Sequence, residues 1–167
     1  KNGTDGNLQI VLDAIKSGSG SHHFLSVTKK GNSAIFSTSG NKYCHTILRG
    51  GSKKVNYDEK SIDEVSARLD KANLPQRIVV DCSHANSMKD HKKQISVVDN
   101  IAFQLSNGEK RIKGLMIESN LVEGNQNIND SNLIYGKSVT DACIGWEDTE
   151  KVLYKLSEAV EKRKLNG

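Results

Sequence analysis

A chain of 167 residues, 35% hydrophobic and 26% charged, has enough apolar material for one domain with a real core. Its net charge of +4 is scattered along the chain rather than gathered in one basic stripe, which argues against a nucleic-acid partner. No apolar run approaches the ~20 residues of a membrane helix and no charged-then-apolar leader opens the sequence, so the expectation is a cytoplasmic protein without a membrane partner.

In chain order, Leu8, Val11, Leu12 and Ile15 recur at helical spacing and predict a first helix. The run FLSVT (24–28) predicts a strand, joined by the turn-like KKGN to a second piece, SAIFST (33–38). A small hairpin over 24–38 therefore interrupts the pattern. HTIL (45–48) predicts the next strand, and Ile62, Val65 and Leu69 a second helix, opened by a capping box of Ser61 and Glu64. RIVVD (77–81) reads as a strand, then Val98, Ile101, Ala102 and Leu105 as a helix stopped by Gly108. GLMIE (114–118) is the last predicted strand, and Leu153, Leu156 and Val160 mark a terminal helix whose EKRKL segment (161–165) reads as a solvated face. Near-continuous apolar character in FLSVT, HTIL, RIVVD and GLMIE suits strands buried on both faces of a parallel sheet. The fold class is α/β, either doubly wound or a (β/α)8 barrel, and residues 1–167 are read as one unit.

Both architectures place function at the carboxyl ends of the strands. After HTIL comes Arg49-Gly50-Gly51, after RIVV comes Asp81-Cys82-Ser83-His84, and GLMI is followed by Glu118. The loop before the last helix carries Asp141. His84, Glu118 and Asp141 are ligand types for a divalent transition ion, although a strand-end histidine or glutamate also serves as a cap or salt-bridge partner. Asp81 reads as an acceptor for backbone amides or a partner of a ligand. Arg49 beside two glycines suits capture of phosphate or carboxylate, since a guanidinium offers a planar fork and glycine lets a ligand approach; a surface arginine beside a turn is the competing account. Lys1 precedes a glycine-containing turn and a helix start, another setting for anions. YGKS (135–138) is not a phosphate loop, because Ser131 stands where its first glycine belongs. Three widely spaced cysteines, Cys44, Cys82 and Cys143, suit neither a disulfide framework nor a zinc site. These residues point to a metal-assisted enzyme acting on small anionic substrates, with no reaction type specified.

KNGTDG, HTILRGG, DCSHANSMKDHKKQ, IESNLVEGNQ and YGKSVTDACIGWED, in this order, resemble the C-terminal half of 3-deoxy-D-arabino-heptulosonate 7-phosphate (DAHP) synthase of the feedback-regulated type. The resemblance implies the C-terminal half of a (β/α)8 TIM barrel with an inserted β-hairpin. It also implies condensation of phosphoenolpyruvate with erythrose 4-phosphate, the first step of the shikimate pathway. By the same likeness His84, Glu118 and Asp141 hold one divalent ion (manganese, iron, cobalt or zinc), Lys1 and Arg49 hold phosphoenolpyruvate, and Asp141 also contacts the aldose phosphate. Ser26 in the hairpin resembles the phenylalanine-sensitive form, so phenylalanine is the expected feedback inhibitor, and the full enzyme is expected to be a homo-oligomer. A cysteine ligand and a Lys-Pro-Arg-Thr motif of the family have no match here, so the chain is read as a fragment that is inactive alone. The competing readings are another metal-dependent phosphosugar aldolase and a non-catalytic half-barrel used for binding or assembly.

Overall fold

The computed structural model describes residues 1–165; residues 166 and 167, the last of the expected single unit, lie outside the described residues. The first helix, α1 (Gln9–Ser19), buries Val11, Leu12 and Ile15, so the predicted stripe is its packing face. The next two strands, β1 (His22–Val27) and β2 (Ser33–Thr38), form an antiparallel hairpin in which Phe24 pairs with Phe36 and Ser26 with Ala34. This corrects the expectation for FLSVT. It belongs to a two-stranded ribbon rather than to a buried parallel sheet, with Leu25 74% and Val27 61% exposed.

The core sheet is parallel, in the order β3 (Thr46–Leu48), β4 (Ile78–Asp81), β5 (Ile112–Met116). Its crossovers are α2 (Glu59–Lys71) and α3 (Lys93–Ser106). Leu48, Ile78 and Val80 are fully buried in one cluster with Ile62 and Leu69 of α2 and Val98 and Ile101 of α3. Burying each such side chain contributes roughly 1.5–3 kcal/mol, which sets the strand order against the cost of ordering the chain. Two short strands, β6 (Val122–Asn125) and β7 (Lys137–Ser138), pair in parallel outside this sheet and carry no clear apolar signal.

Helix α2 is capped by Asp58, whose carboxylate accepts from the Ser61 N–H at 3.0 Å and its hydroxyl at 2.8 Å. The predicted Ser61 cap thus sits inside the first turn, because Asp58 takes the orphan donor instead. Gly108 ends α3 as expected, at φ +98°, a conformation that costs a glycine little. The terminal helix, α4 (Trp146–Leu165), buries Thr149, Val152 and Ala159, with Leu156 and Val160 partly covered. Leu153 is 53% exposed, so the packing stripe runs one residue earlier than the leucine spacing suggested. Among the described residues no helix is long and apolar enough to cross a membrane.

Below the sheet, Arg111 joins Glu109 at 2.6 Å to Asp63 of α2 at 2.7 Å. Burial pushes the Glu109 carboxyl up, but hydrogen bonds from the Arg111 side chain and backbone outweigh it and hold the group below its ordinary value. A depressed carboxyl stabilises the fold above its unfolded pKa, and that contribution disappears as pH falls through the lower folded value. With Arg111→Met the side-chain bonds and the charge are lost while the backbone N–H bonds remain, so burial is less fully opposed and Glu109 takes up its proton at higher pH. The expected result is acid unfolding that begins at higher pH than in the parent, followed by circular dichroism; an unchanged acid limb would dismiss the pair as a stabilising element.

Candidate active site

The ends of β3, β4 and β5 open on one cleft of about 290 Å³, lined by Arg49, Ser83, His84, Lys89, His91, Glu118 and Asp141. One donor atom from each of His84, Glu118 and Asp141 lies within 4.8 Å of the others, although the three residues come from separate βα segments. His84 Nε2 is 3.8 Å from Glu118 Oε1. The opposite ring nitrogen, Nδ1, lies 2.9 Å from Asp81 Oδ2 but off the line of a good hydrogen bond, so this contact is electrostatic proximity rather than an aligned bond. The ring is held with one edge toward a buried carboxylate and the other toward the cleft. His84 also has φ +53°, a left-handed conformation that costs a non-glycine residue about 1–2 kcal/mol.

Asp81 is fully buried and gathers several donors. It accepts from Lys1 Nζ at 2.8 Å and from the Ser83 N–H at 3.0 Å, and it sits against the His84 ring. A buried carboxylate left alone would be costly, and Lys1 with the Ser83 amide supplies the compensation. The Ser83 bond matches the reading of Asp81 as an acceptor for backbone amides, and its other oxygen lies beside the His84 ring. Lys1 does not line the 290 Å³ cleft itself. Its ammonium reaches Asp81 from an adjoining cavity that Ile15, Tyr43 and Ile47 also line. Ser26 pairs with Ala34 in the hairpin and takes no part in the cleft.

The two glycines after Arg49 have a different reason from the one their sequence suggests. Gly50 has φ +74°, and a Cβ there would lie 2.7 Å from the Asn86 backbone nitrogen and 2.8 Å from the Ala85 carbonyl carbon. At Gly51 it would meet the Gly6 Cα at 2.7 Å. Neighbouring backbone, not a ligand, fills the space a side chain would need. The loop is tied by three buried asparagines. Asn2 Oδ1 accepts from the Arg49 N–H at 2.8 Å, and Asn56 Oδ1 accepts from the Gly50 N–H at 2.7 Å. Asn86 donates to the carbonyls of Leu48 and Asp81, at 3.1 and 2.9 Å, and accepts from the Asn56 N–H at 2.9 Å. Arg49 is thereby fixed relative to His84.

The sequence reading gave these asparagines no role, nor Lys89, His91 and Gln94, although all but Asn56 stand within the motifs KNGTDG and DCSHANSMKDHKKQ. Asn2, Asn56 and Asn86 stand in loops, where such residues usually close local turns. Gln94 carried a weak signal, a polar residue one turn before Val98 on the apolar stripe of α3, and it is fully buried. His91 pairs with Glu123 at 2.9 Å, and no ion pair is found for Lys89 among the described residues. The neighbouring thiol of Cys82 is pushed up to about 12, first by burial and then by the charge of Asp81, which makes it a protonated core group.

One imidazole and two carboxylates, converging on one point with the ring braced from behind, fit a divalent transition ion. Arg49 and Lys89 add cationic groups to the lining of the same cleft.

Known proteins resemble this chain along nearly all of its length. A family model described as the DAHP synthetase I family matches residues 1–154. The chain is 53% identical over 165 residues to the Phe-sensitive phospho-2-dehydro-3-deoxyheptonate aldolase of Escherichia coli (strain K12), covering 98% of this chain and 47% of that protein. It is 49% identical over 172 residues to the phenylalanine-inhibited aldolase of Saccharomyces cerevisiae, covering 98% and 46%. The solved phospho-2-dehydro-3-deoxyheptonate aldolase of Francisella tularensis SCHU S4 superposes with a TM-score of 0.92 at 50% identity, over 97% of this chain and 47% of that one. The chain spans about half the length of the curated relatives it matches. With a family match that runs from the Lys1 turn into α4 and a backbone that follows a solved relative throughout, the chain belongs to the DAHP synthetase I family.

Proposed function

We propose that this chain forms the C-terminal half of a (β/α)8 barrel that condenses phosphoenolpyruvate with erythrose 4-phosphate to give DAHP and phosphate. The observation that carries the reading is the convergence of His84, Glu118 and Asp141 within 4.8 Å, in the cleft that Arg49 also lines. The three parallel strands β3, β4 and β5 are fewer than the eight of a barrel, so activity is assigned to the barrel completed by further strands.

In this reading the methylene carbon of phosphoenolpyruvate forms a bond to the aldehyde carbon of erythrose 4-phosphate. Water adds at the former enol carbon, and phosphate leaves. His84, Glu118 and Asp141 hold a divalent ion, which when bound supplies Lewis-acid polarisation of the aldehyde. Arg49 grips the anionic groups of phosphoenolpyruvate, in a position set by Asn2 and Asn86 before substrate arrives. Lys1, anchored to Asp81 through one N–H, has two left for the same substrate. Asp141, exposed at the open side of the cleft, contacts the aldose phosphate as well. A cytosolic location and a homo-oligomer belong to the same proposal; three cysteines without a disulfide suit a reducing compartment.

The hairpin is assigned to feedback control by phenylalanine. Phe24 and Phe36 stack with ring centroids 6.0 Å apart, on the face of the ribbon that also carries Ser26. That face offers an apolar platform with a hydroxyl, suited to an aromatic amino acid. Similar proteins are named for sensitivity to phenylalanine, tyrosine or tryptophan, so the choice among the three is the point to test. The complete protein, supplied with both substrates and a divalent ion, should consume phosphoenolpyruvate and release one phosphate per DAHP formed. Phenylalanine should inhibit and tyrosine should not. Absence of phosphoenolpyruvate consumption would overturn the catalytic reading; inhibition by tyrosine alone would overturn the role of Ser26.

A further inference from the structure

Glu118 is gripped more completely than a rim carboxylate needs to be. Its main-chain N–H donates to Gln94 Oε1 at 2.8 Å, and its carbonyl accepts from Gln94 Nε2 at 3.1 Å and from the Ile144 N–H at 3.0 Å. Gln94 lies in the first turn of α3 with no exposed surface, so its amide engages both main-chain groups of Glu118 as a neighbouring strand would. The Glu118 side chain is held separately. Its Oε2 accepts from Ser83 Oγ at 2.8 Å, and Ser83 is itself only 6% exposed and pinned by its N–H to Asp81. The other oxygen, Oε1, faces His84 Nε2 across 3.8 Å and has no hydrogen bond among the described residues.

The two carboxylate oxygens therefore have different tasks. We infer that Ser83 and Gln94 are positioning residues that restrict Glu118 to one-oxygen ligation of the divalent ion, with Oε2 retained by Ser83 and Oε1 offered beside His84 Nε2. The inference rests on reading His84, Glu118 and Asp141 as the cation site. Its physical basis is rotational freedom. A glutamate held only through its backbone can turn its carboxylate to present both oxygens, a geometry that ions accepting many oxygen ligands, such as calcium, exploit. Transition ions that take imidazole prefer fewer donors in a tighter arrangement. By holding Oε2 in one direction, Ser83 makes the rotation that would turn both oxygens to one ion cost a hydrogen bond; Gln94 prevents the main chain from moving to recover it.

The test is direct binding of manganese and calcium to the complete protein without substrate, by titration calorimetry and by electron paramagnetic resonance of free manganese. Ser83→Ala should weaken manganese binding roughly 10-fold to 100-fold, the usual effect of removing a group that orients a ligand. The ratio of manganese to calcium affinity should fall with it. Ser83→Thr, which keeps the hydroxyl, should recover most of the affinity, and Gln94→Met should resemble Ser83→Ala. Ser83→Ala should also leave the thermal midpoint of the metal-free protein within about 2 °C of the parent. Two failures are distinguishable. If His84→Ala loses manganese while Ser83→Ala binds manganese and calcium as the parent does, the positioning role is overturned and the cation site stands. If the parent protein binds no manganese, the cation site itself falls, and the inference with it.

Discussion

His84→Ala in the complete protein is expected to remove metal-dependent turnover, a loss on the order of a thousandfold or more. The estimate follows from what one residue contributes. His84 supplies the single imidazole among three convergent donors, and its Nε2 faces Glu118 Oε1 in the cleft. Losing it leaves two carboxylates, of which Asp141 is exposed, a set that suits oxygen-seeking ions rather than the transition ions proposed here. Several kcal/mol of charge stabilisation at the reacting aldehyde would go with the ion, and each 1.36 kcal/mol is tenfold in rate, hence roughly a thousandfold. Folding should suffer far less. The substitution keeps a side chain at φ +53° and withdraws a partner from Asp81, which retains Lys1 and the Ser83 amide. The check is turnover over a range of manganese concentrations, with circular dichroism to confirm the fold. Near-parental activity in the presence of a chelator would reject the assignment of His84.

Asn86→Ala is the second large effect, and it acts on stability first. Asn86 donates to the carbonyls of Leu48 and Asp81, the last residues of β3 and β4, and accepts from the buried Asn56 N–H. Alanine would leave that amide without an acceptor and both carbonyls without this donor, in a site where Asn86 is 3% exposed. An unsatisfied buried group costs roughly 1–3 kcal/mol, so the loss should be about 3 kcal/mol or more. Through the Gly50 N–H bond to Asn56, the same change loosens the loop that carries Arg49. Urea denaturation should show the midpoint falling with little change in slope, and the KM for phosphoenolpyruvate should rise in whatever protein remains folded. An unfolding free energy within about 0.5 kcal/mol of the parent would mean that water or another side chain satisfies these groups without Asn86.

Much of the frame was legible because it is local. The spacing in α1 and α3 marks their buried faces, and HTIL, RIVV and GLMI each lie within β3, β4 and β5 but for one end residue. The rim residues followed from one rule, that a parallel α/β sheet presents function where its strands end, and that rule led to Arg49, His84 and Glu118. For FLSVT the hairpin pairing with SAIFST held and the two-sided burial did not, because an apolar run does not record whether anything will cover it. The ribbon it forms with SAIFST across KKGN is separate from the three-stranded sheet. Leu153 failed because a twenty-residue helix with a weak stripe can turn several residues toward its neighbour, and α4 chose Val152 when it packed beside α3.

By itself, then, the sequence determined the helices, the three parallel strands of the core sheet, the family and the candidate ligands, all of which depend on short segments and their order. The tertiary structure decided how those segments act on one another. Lys1 reaches Asp81 across 80 positions, Asn56 reaches Asn2 across 54, and Ser83 reaches the Glu118 carboxylate across 35. It also decided that Gly50 and Gly51 make room for backbone rather than for ligand. Periodicity and capping are interactions of neighbours along the chain, whereas these contacts exist only after burial has brought distant loops together and required each polar group to find a partner.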